Sequence, residues 1–285
     1  MHPSKDSASN RISRTYDIPS VPLVLTRILQ VLADDKSTAK ALEELILHDP
    51  ALSARVLRLA NSAFYAFRYE VRTISHAVSL LGLKVVKSLA IGVSIFESFT
   101  HGMKKEADLI NGLWMHSFGT ALLAQEIWAR SGNRTEGEFA FLCGLLHDLG
   151  KVVFFKSDPA FYSRLFAAKK TGEGHDISSL ERESFDADHA VVGALLAKKW
   201  GLPTDLATVI GEHHAPLASE MSLVSAVSLA DILAKEKGIG YSGDSIVPCD
   251  LPALLERLGL GAGEYEQLAS VAEVRRKEAD SFFQM

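Results

Sequence analysis

One octapeptide constrains this chain more than any other feature: Gly144-Leu145-Leu146-His147-Asp148-Leu149-Gly150-Lys151. It lies inside an apolar run from Phe139 to Phe155, which reads as the buried centre of the molecule. An imidazole, a carboxylate and an ammonium placed there need partners, because isolated buried polar and charged groups are strongly disfavoured. A metal ion satisfies His147 and Asp148 together, so the rest of the chain is read for further ligands.

At 285 residues, 47% hydrophobic and 23% charged, the chain has enough apolar material for two modest helical units or one large one. A net charge of −5 gives no support to binding of nucleic acid or of an acidic membrane surface. From Pro19 to Thr100 there are nine Lys/Arg and seven Asp/Glu, a net of +2 without a basic cluster. Cys143 and Cys249 stand far apart, which is not a disulfide framework and points to a reducing cytoplasm. Residues 1–15 are polar, lack an apolar signal-peptide core and read as a disordered lead-in. The run Phe139–Phe155 approaches membrane-spanning length, but it contains His147, Asp148 and Lys151 and reads as a soluble core helix.

Helical periodicity fills nearly every segment, and no alternating strand pattern is found. Ser20 caps a helix with Pro22 in its first turn and Leu25, Ile28, Leu29 and Leu32 on one face, ended by Asp34-Asp35. Ser37 or Thr38 caps the next, and Asp49-Pro50 starts another. A short helix from Ser75 ends at Gly82, and a longer one runs from about Leu83 to Phe99 with Val85, Leu89, Val93 and Phe96 inward. The spacing thus predicts an all-α protein: an N-terminal short-helix module over 16–101 packed on a second helical domain over 102–237. A C-terminal loop and helices follow over 238–285. The charge change from His101 to Asp108 marks the boundary. Helices are expected over Leu113–Arg130, Pro159–Lys170, Thr204–His214 and Ser222–Lys237, with a loop at Thr171–Gly174. Asp186 or Asp188 caps a helix that stops at Trp200, before Gly201-Leu202-Pro203.

Candidate ligands gather in the second half. His116 shares a helix face with Thr120, Leu123 and Ile127, and His189 lies on the stripe of Val192, Leu196 and Trp200. His147-Asp148 sits just before Gly150, which is expected to break its helix. His213-His214 ends another helix, and Asp231 lies on the apolar helix Leu223–Leu233. Imidazoles with carboxylates suit Fe, Mn, Zn or Ni, as one or two ions. His213 and His214 point about 100° apart on a helix, so they serve two ions, or one ligates while the other meets a substrate. Each residue alone also has a structural reading, as a hydrogen-bonded core histidine or a helix-terminal cap. Five inward or helix-terminal histidines with two carboxylates are harder to explain that way.

The order His116, His147-Asp148, His189, His213-His214, Asp231 resembles the HD superfamily of metal-dependent phosphohydrolases. Over about residues 16–237 the chain resembles more closely the HDOD family, the HD-related output domain of bacterial signalling proteins. The matching strings are Ile18-Pro-Ser-Val-Pro22, His48-Asp-Pro50, Leu59-Ala-Asn-Ser62, Thr73-Ile-Ser-His-Ala77, Leu80-Leu-Gly82 and Trp114-Met-His-Ser117. After Gly144–Gly150 come Asp188-His-Ala190, Trp200-Gly-Leu-Pro203 and His213-His214 with Pro216. The resemblance implies an all-helical fold and a regulatory, signal-transduction role with a protein partner. It offers His116, His147, Asp148, His189, His213, His214 and Asp231 as metal ligands.

Two departures separate the chain from the HD-GYP cyclic-dinucleotide phosphodiesterases. Gly112 stands where a glutamate often joins the metal site, and Ala215-Pro216-Leu217 replaces the GYP segment. The alternative activity is a metal-dependent phosphohydrolase acting on a nucleotide or cyclic dinucleotide. A divalent ion would there acidify a water, Lys151 would contact phosphate and a spare histidine such as His189 would protonate the leaving oxygen. Lys151 has a second reading, as a surface or helix-end lysine near a carboxylate. Within the 285 residues no receiver or sensor domain is read, so a signal is expected to arrive from a separate protein or through expression.

Overall fold

The computed structural model describes residues 21, 25–28, 39–61, 65, 67–100, 107–133, 136–168, 176–243 and 249–283. The expected lead-in, the cap at Ser20, the Ser37/Thr38 cap, the loop Thr171–Gly174 and most of the boundary segment from His101 lie outside them. All regular structure among the described residues is helical. The fold is all-α, as the absence of alternating patterns implied.

The N-terminal helices are α1 (Ala39–Leu47), α2 (Pro50–Ala60), α3 (Ile74–Leu81) and α4 (Leu83–Thr100). Their inner stripes meet in one core, with Leu42 and Ile46 of α1, Leu52 and Val56 of α2, and Ile74 and Ala77 of α3 all buried. Thr73 caps α3 by accepting from the His76 amide, and Gly82 ends it at φ 85°, in the region glycine adopts without penalty. A single inner stripe was expected for α4. Instead every residue from Ser88 to Phe96 is buried, because α4 packs on α2 with one side and on the second half of the chain with the other. A helix covered all round belongs inside a core, not on its surface.

The second half comprises α5 (Ala107–Arg130), α6 (Gly137–Leu146), α7 (Leu149–Ser157), α8 (Pro159–Ala168), α9 (Ile177–Phe185), α10 (His189–Lys199), α11 (Thr204–Glu212) and α12 (Ser222–Glu236). Two more helices, α13 (Leu251–Arg257) and α14 (Ala262–Phe283), complete the described chain. The axis of the assembly is α5, which begins six residues earlier than its periodicity suggested and packs on α6, α12 and α14. Asp188 caps α10 through the Val191 amide, while Asp186 ends α9 in the left-handed region at φ 57°.

Two expectations are corrected. The motif helix breaks at His147-Asp148 itself and not at Gly150, which lies inside α7. Asp148 sits at φ −93° and ψ 16°, outside helical geometry. Gly150 instead serves close packing. A Cβ there would lie 1.9 Å from the His189 carbonyl oxygen, so its absence lets α7 pack backbone to backbone on α10. Gly144 does the same for α6 on α5, where a Cβ would lie 2.7 Å from the Ala121 Cα. Second, α11 ends at Glu212, so His213 and His214 occupy the turn beyond the helix and not its last residues.

Candidate metal centre

Each nominated ligand is delivered by a helix or by a turn at a helix end. His116 comes from α5, His147 and Asp148 from the turn between α6 and α7, His189 from the start of α10, His213 and His214 from the turn after α11, and Asp231 from α12. The fold brings all seven together. Ligand atoms of His116, His147 and Asp231 lie within 4.8 Å of one another, as do those of His147, Asp148 and His213, and those of His189, His213 and His214.

The hydrogen bonds fix which ring nitrogens face inward. His147 Nδ1 lies 2.7 Å from the Gly144 carbonyl, and His213 Nδ1 lies 2.8 Å from that of Ile210. A carbonyl only accepts, so each Nδ1 must carry the proton, and in the neutral ring each Nε2 is left with its lone pair. His189 Nδ1 lies 2.6 Å from the Glu181 carboxylate, which turns its Nε2 inward as well. The Nε2 atoms of His116, His147 and His213 and the Oδ1 atoms of Asp148 and Asp231 are all buried without a hydrogen-bond partner. His116 Nε2 does approach Asp231 Oδ1 to 3.0 Å, but without the alignment of an N–H donor. Orphaned atoms are rare in protein interiors, and five converging on one place call for a common partner.

A divalent ion meets that need. Metal–ligand bonds of about 2.0–2.2 Å place neighbouring ligand atoms about 3.0–3.5 Å apart at right or tetrahedral angles. Separations here are 3.0 Å for His116–Asp231, 3.4 Å for His147–Asp148 and 3.4 Å for His189–Asp148. Asp148 spans the cluster. Its Oδ2 faces His147 and His116, at 3.4 and 3.8 Å, and its Oδ1 faces His189 and His213, at 3.4 and 3.8 Å. The donor set of imidazoles and carboxylates therefore fits a transition metal, with one carboxylate placed between two groups of histidines.

The electrostatics agree. Burial alone would raise the Asp148 pKa, but His147 and Lys151 hold it well below the carboxylate range. Burial is likewise outweighed at Asp231, by Lys235 and by His116 and His147. Burial disfavours a charged His147, yet Asp148 and Asp231 hold its pKa above the ordinary value. For His116 burial prevails over the two carboxylates, and its pKa falls. His213 and His214 are pushed down by burial and by the neighbouring imidazoles. His116, His213 and His214 are thus held neutral beside ionised carboxylates, as ligation requires, whereas a protonated His147 would release its proton on taking up an ion.

Lys151 is fully buried and donates to Asp148 Oδ2 at 2.9 Å, so it stands beside a carboxylate and not at the surface. Sequence reasoning missed its counterpart. Lys235 donates to Asp231 Oδ2 at 2.7 Å, and its place four residues on along α12 was a legible signal. Glu181 was also missed, because α9 went unassigned and its sequence, ISSLERESF, reads as polar surface. At Gly112 a Cβ would lie 3.5 Å from the Tyr241 carbonyl oxygen, so backbone of the loop after α12 packs against this position.

The fold is a helical bundle whose core gathers five histidines and two aspartates, the arrangement expected from the resemblance to the HD superfamily. Residues 18–216 match the HDOD domain family, and the chain belongs to that family. It is similar to a solved structure from Shewanella amazonensis described as a candidate phosphohydrolase, with 30% identity, a TM-score of 0.72 and coverage of 98% of this chain and 100% of that one. It is similar in fold to an HDOD domain protein of unknown function from Geobacter sulfurreducens, with 24% identity, a TM-score of 0.75 and 97% of each chain covered. An uncharacterised protein of Treponema pallidum is 29% identical over 232 residues, 79% of this chain. The chain spans 44% of that protein's length. Among the described residues no helix is long and apolar enough to cross a membrane.

Proposed function

We propose that this protein is a regulatory signal-transduction protein whose HD-type centre holds one or two divalent transition metals, Fe, Mn, Zn or Ni, as a buried core. The ligands are His116, His147, Asp148, His189, His213, His214 and Asp231, with Asp148 shared when two ions are present. One observation carries this reading: His116, His147, Asp148, His189, His213 and Asp231 are all buried, and only His214 reaches partial exposure. Closed sites hold an ion structurally, whereas catalytic ones keep an open position for water and substrate. In this reading residues 16–101 form the N-terminal module and 102–237 the HD-like domain. The partner is a cytoplasmic signalling protein that docks on the N-terminal helices, where Leu47, Tyr69 and Leu80 are large apolar side chains left exposed.

The second reading is a phosphohydrolase for a nucleotide or cyclic dinucleotide, and the placement of one lysine, Lys151, inside the centre beside Asp148 favours it. It assigns phosphate contact to Lys151 and proton transfer to His189. Both groups are already engaged, Lys151 with Asp148 and His189 with Glu181. The two readings part in an assay of protein with its metal content verified, against phosphomonoesters, phosphodiesters and cyclic dinucleotides. The regulatory reading expects no turnover. Turnover that disappears in a folded Asp148→Asn variant would replace it with the hydrolase.

A further inference from the structure

Glu181 is a carboxylate with no surface exposure, and among the described residues no lysine or arginine lies within ion-pair distance of it. This sets it apart from Asp148 and Asp231, each of which has a lysine on its Oδ2. Its Oε2 accepts from the His189 backbone amide at 2.8 Å and from His189 Nδ1 at 2.6 Å. Its Oε1 accepts from the hydroxyl of Tyr162, which is itself buried. Both oxygens are thus used, and the ring they hold presents Nε2 toward Asp148 Oδ1 at 3.4 Å and His214 Nε2 at 2.8 Å. A buried carboxylate with no lysine or arginine beside it is costly, and the natural compensation is positive charge reached through the imidazole it holds.

We propose that Glu181 is the positioning residue for His189, and that Tyr162 fixes Glu181, so that packing around Tyr162 sets how tightly the His189 end of the centre binds an ion. The inference rests on the metal reading above and names two residues which that reading does not use. Tyr162 arrives from α8 and Glu181 from α9, so the hydrogen-bonded line Tyr162–Glu181–His189 passes through two helices before it reaches a candidate ligand on a third, α10. Tyr162 lies at the wall of a small apolar cavity shared with Phe96 of α4 and Leu113 of α5. The line therefore begins where the N-terminal helices meet the second half.

Glu181→Gln keeps the shape and the two accepting contacts through one oxygen while removing the charge. Tyr162→Phe removes only the hydroxyl. Metal-free full-length protein and both variants are titrated with Co2+ and followed by visible absorption, which reports both affinity and ligand field. Helical circular dichroism and melting temperature are recorded alongside. Glu181→Gln is expected to weaken Co2+ binding about 10–100-fold and to alter the spectrum, and Tyr162→Phe to act in the same direction with a smaller loss. Should Glu181→Gln not fold, Tyr162→Phe decides alone. Wild-type protein that binds Co2+ while both variants match its affinity and spectrum would overturn this inference and leave the metal reading standing. Wild-type protein that takes up no Co2+ would overturn both.

Discussion

Gly150 lies against the His189 carbonyl so closely that a Cβ would come to 1.9 Å, and the obstacle is backbone, which cannot swing aside. The contact seats α7 on α10 and thereby sets His189 opposite Asp148. Gly150→Ala is expected to push the two helices apart, destabilise the fold by about 3 kcal/mol, the upper end of ordinary overpacking, and lose bound metal. Urea denaturation and elemental analysis check this. Wild-type stability and metal content would show that the helices accommodate the methyl.

Lys151→Met removes the partner of Asp148 Oδ2 while keeping the apolar stem. Leaving one half of a buried ion pair unpaired costs about 3–5 kcal/mol. That loss is expected in metal-free protein and is expected to shrink when an ion neutralises Asp148. Denaturation midpoints with and without added Zn2+ measure the difference. An equal loss in both conditions would mean that the ion and the lysine do not share the carboxylate.

The histidines fix the direction of the pH dependence. His116, His213 and His214 are held below the ordinary value of 6.5, so in acid the unfolded chain takes up protons that the folded one refuses. Their contribution is complete above pH 6.5. Below it, each costs about 1.4 kcal/mol per pH unit until its own folded pKa is reached. His147, held above 6.5, acts oppositely: its contribution is complete below 6.5 and is lost as pH rises through its folded value. Asp148 and Asp231, held below 3.8, contribute above that value and lose it as pH falls further. Below pH 6.5 His147 adds no further change, so the three depressed histidines set the slope, and metal-free protein is expected to lose stability between pH 6.5 and 5. Thermal denaturation across that range checks it, and a stability that holds or rises as pH falls would contradict neutral His116, His213 and His214.

The seven candidate ligands were legible because each sits on or beside an apolar stripe where an imidazole or carboxylate is conspicuous, as His116 does beside Thr120, Leu123 and Ile127. The helix ends at Gly82 and Trp200 were legible from cap chemistry. The break at His147-Asp148 was not, because apolar residues continue on both sides and only the conformation of Asp148 interrupts the helix. Gly150 was misread as a breaker, since a glycine needed for close approach carries the same letter as one needed for a turn. Glu181 was invisible for a related reason. A charged residue in a polar helix reads as surface, and only its contacts with Tyr162 of α8 and His189 of α10 reveal it as the carboxylate holding that imidazole.

On the proposed reading a transition metal sits among these histidines. Elemental analysis of protein purified without chelators tests it most directly, beside the His147→Ala/Asp148→Ala variant, with circular dichroism confirming that the variant is helical. About one or two equivalents of Fe, Mn, Zn or Ni are expected per wild-type chain and almost none in the variant. Equal and negligible metal in both would contradict it.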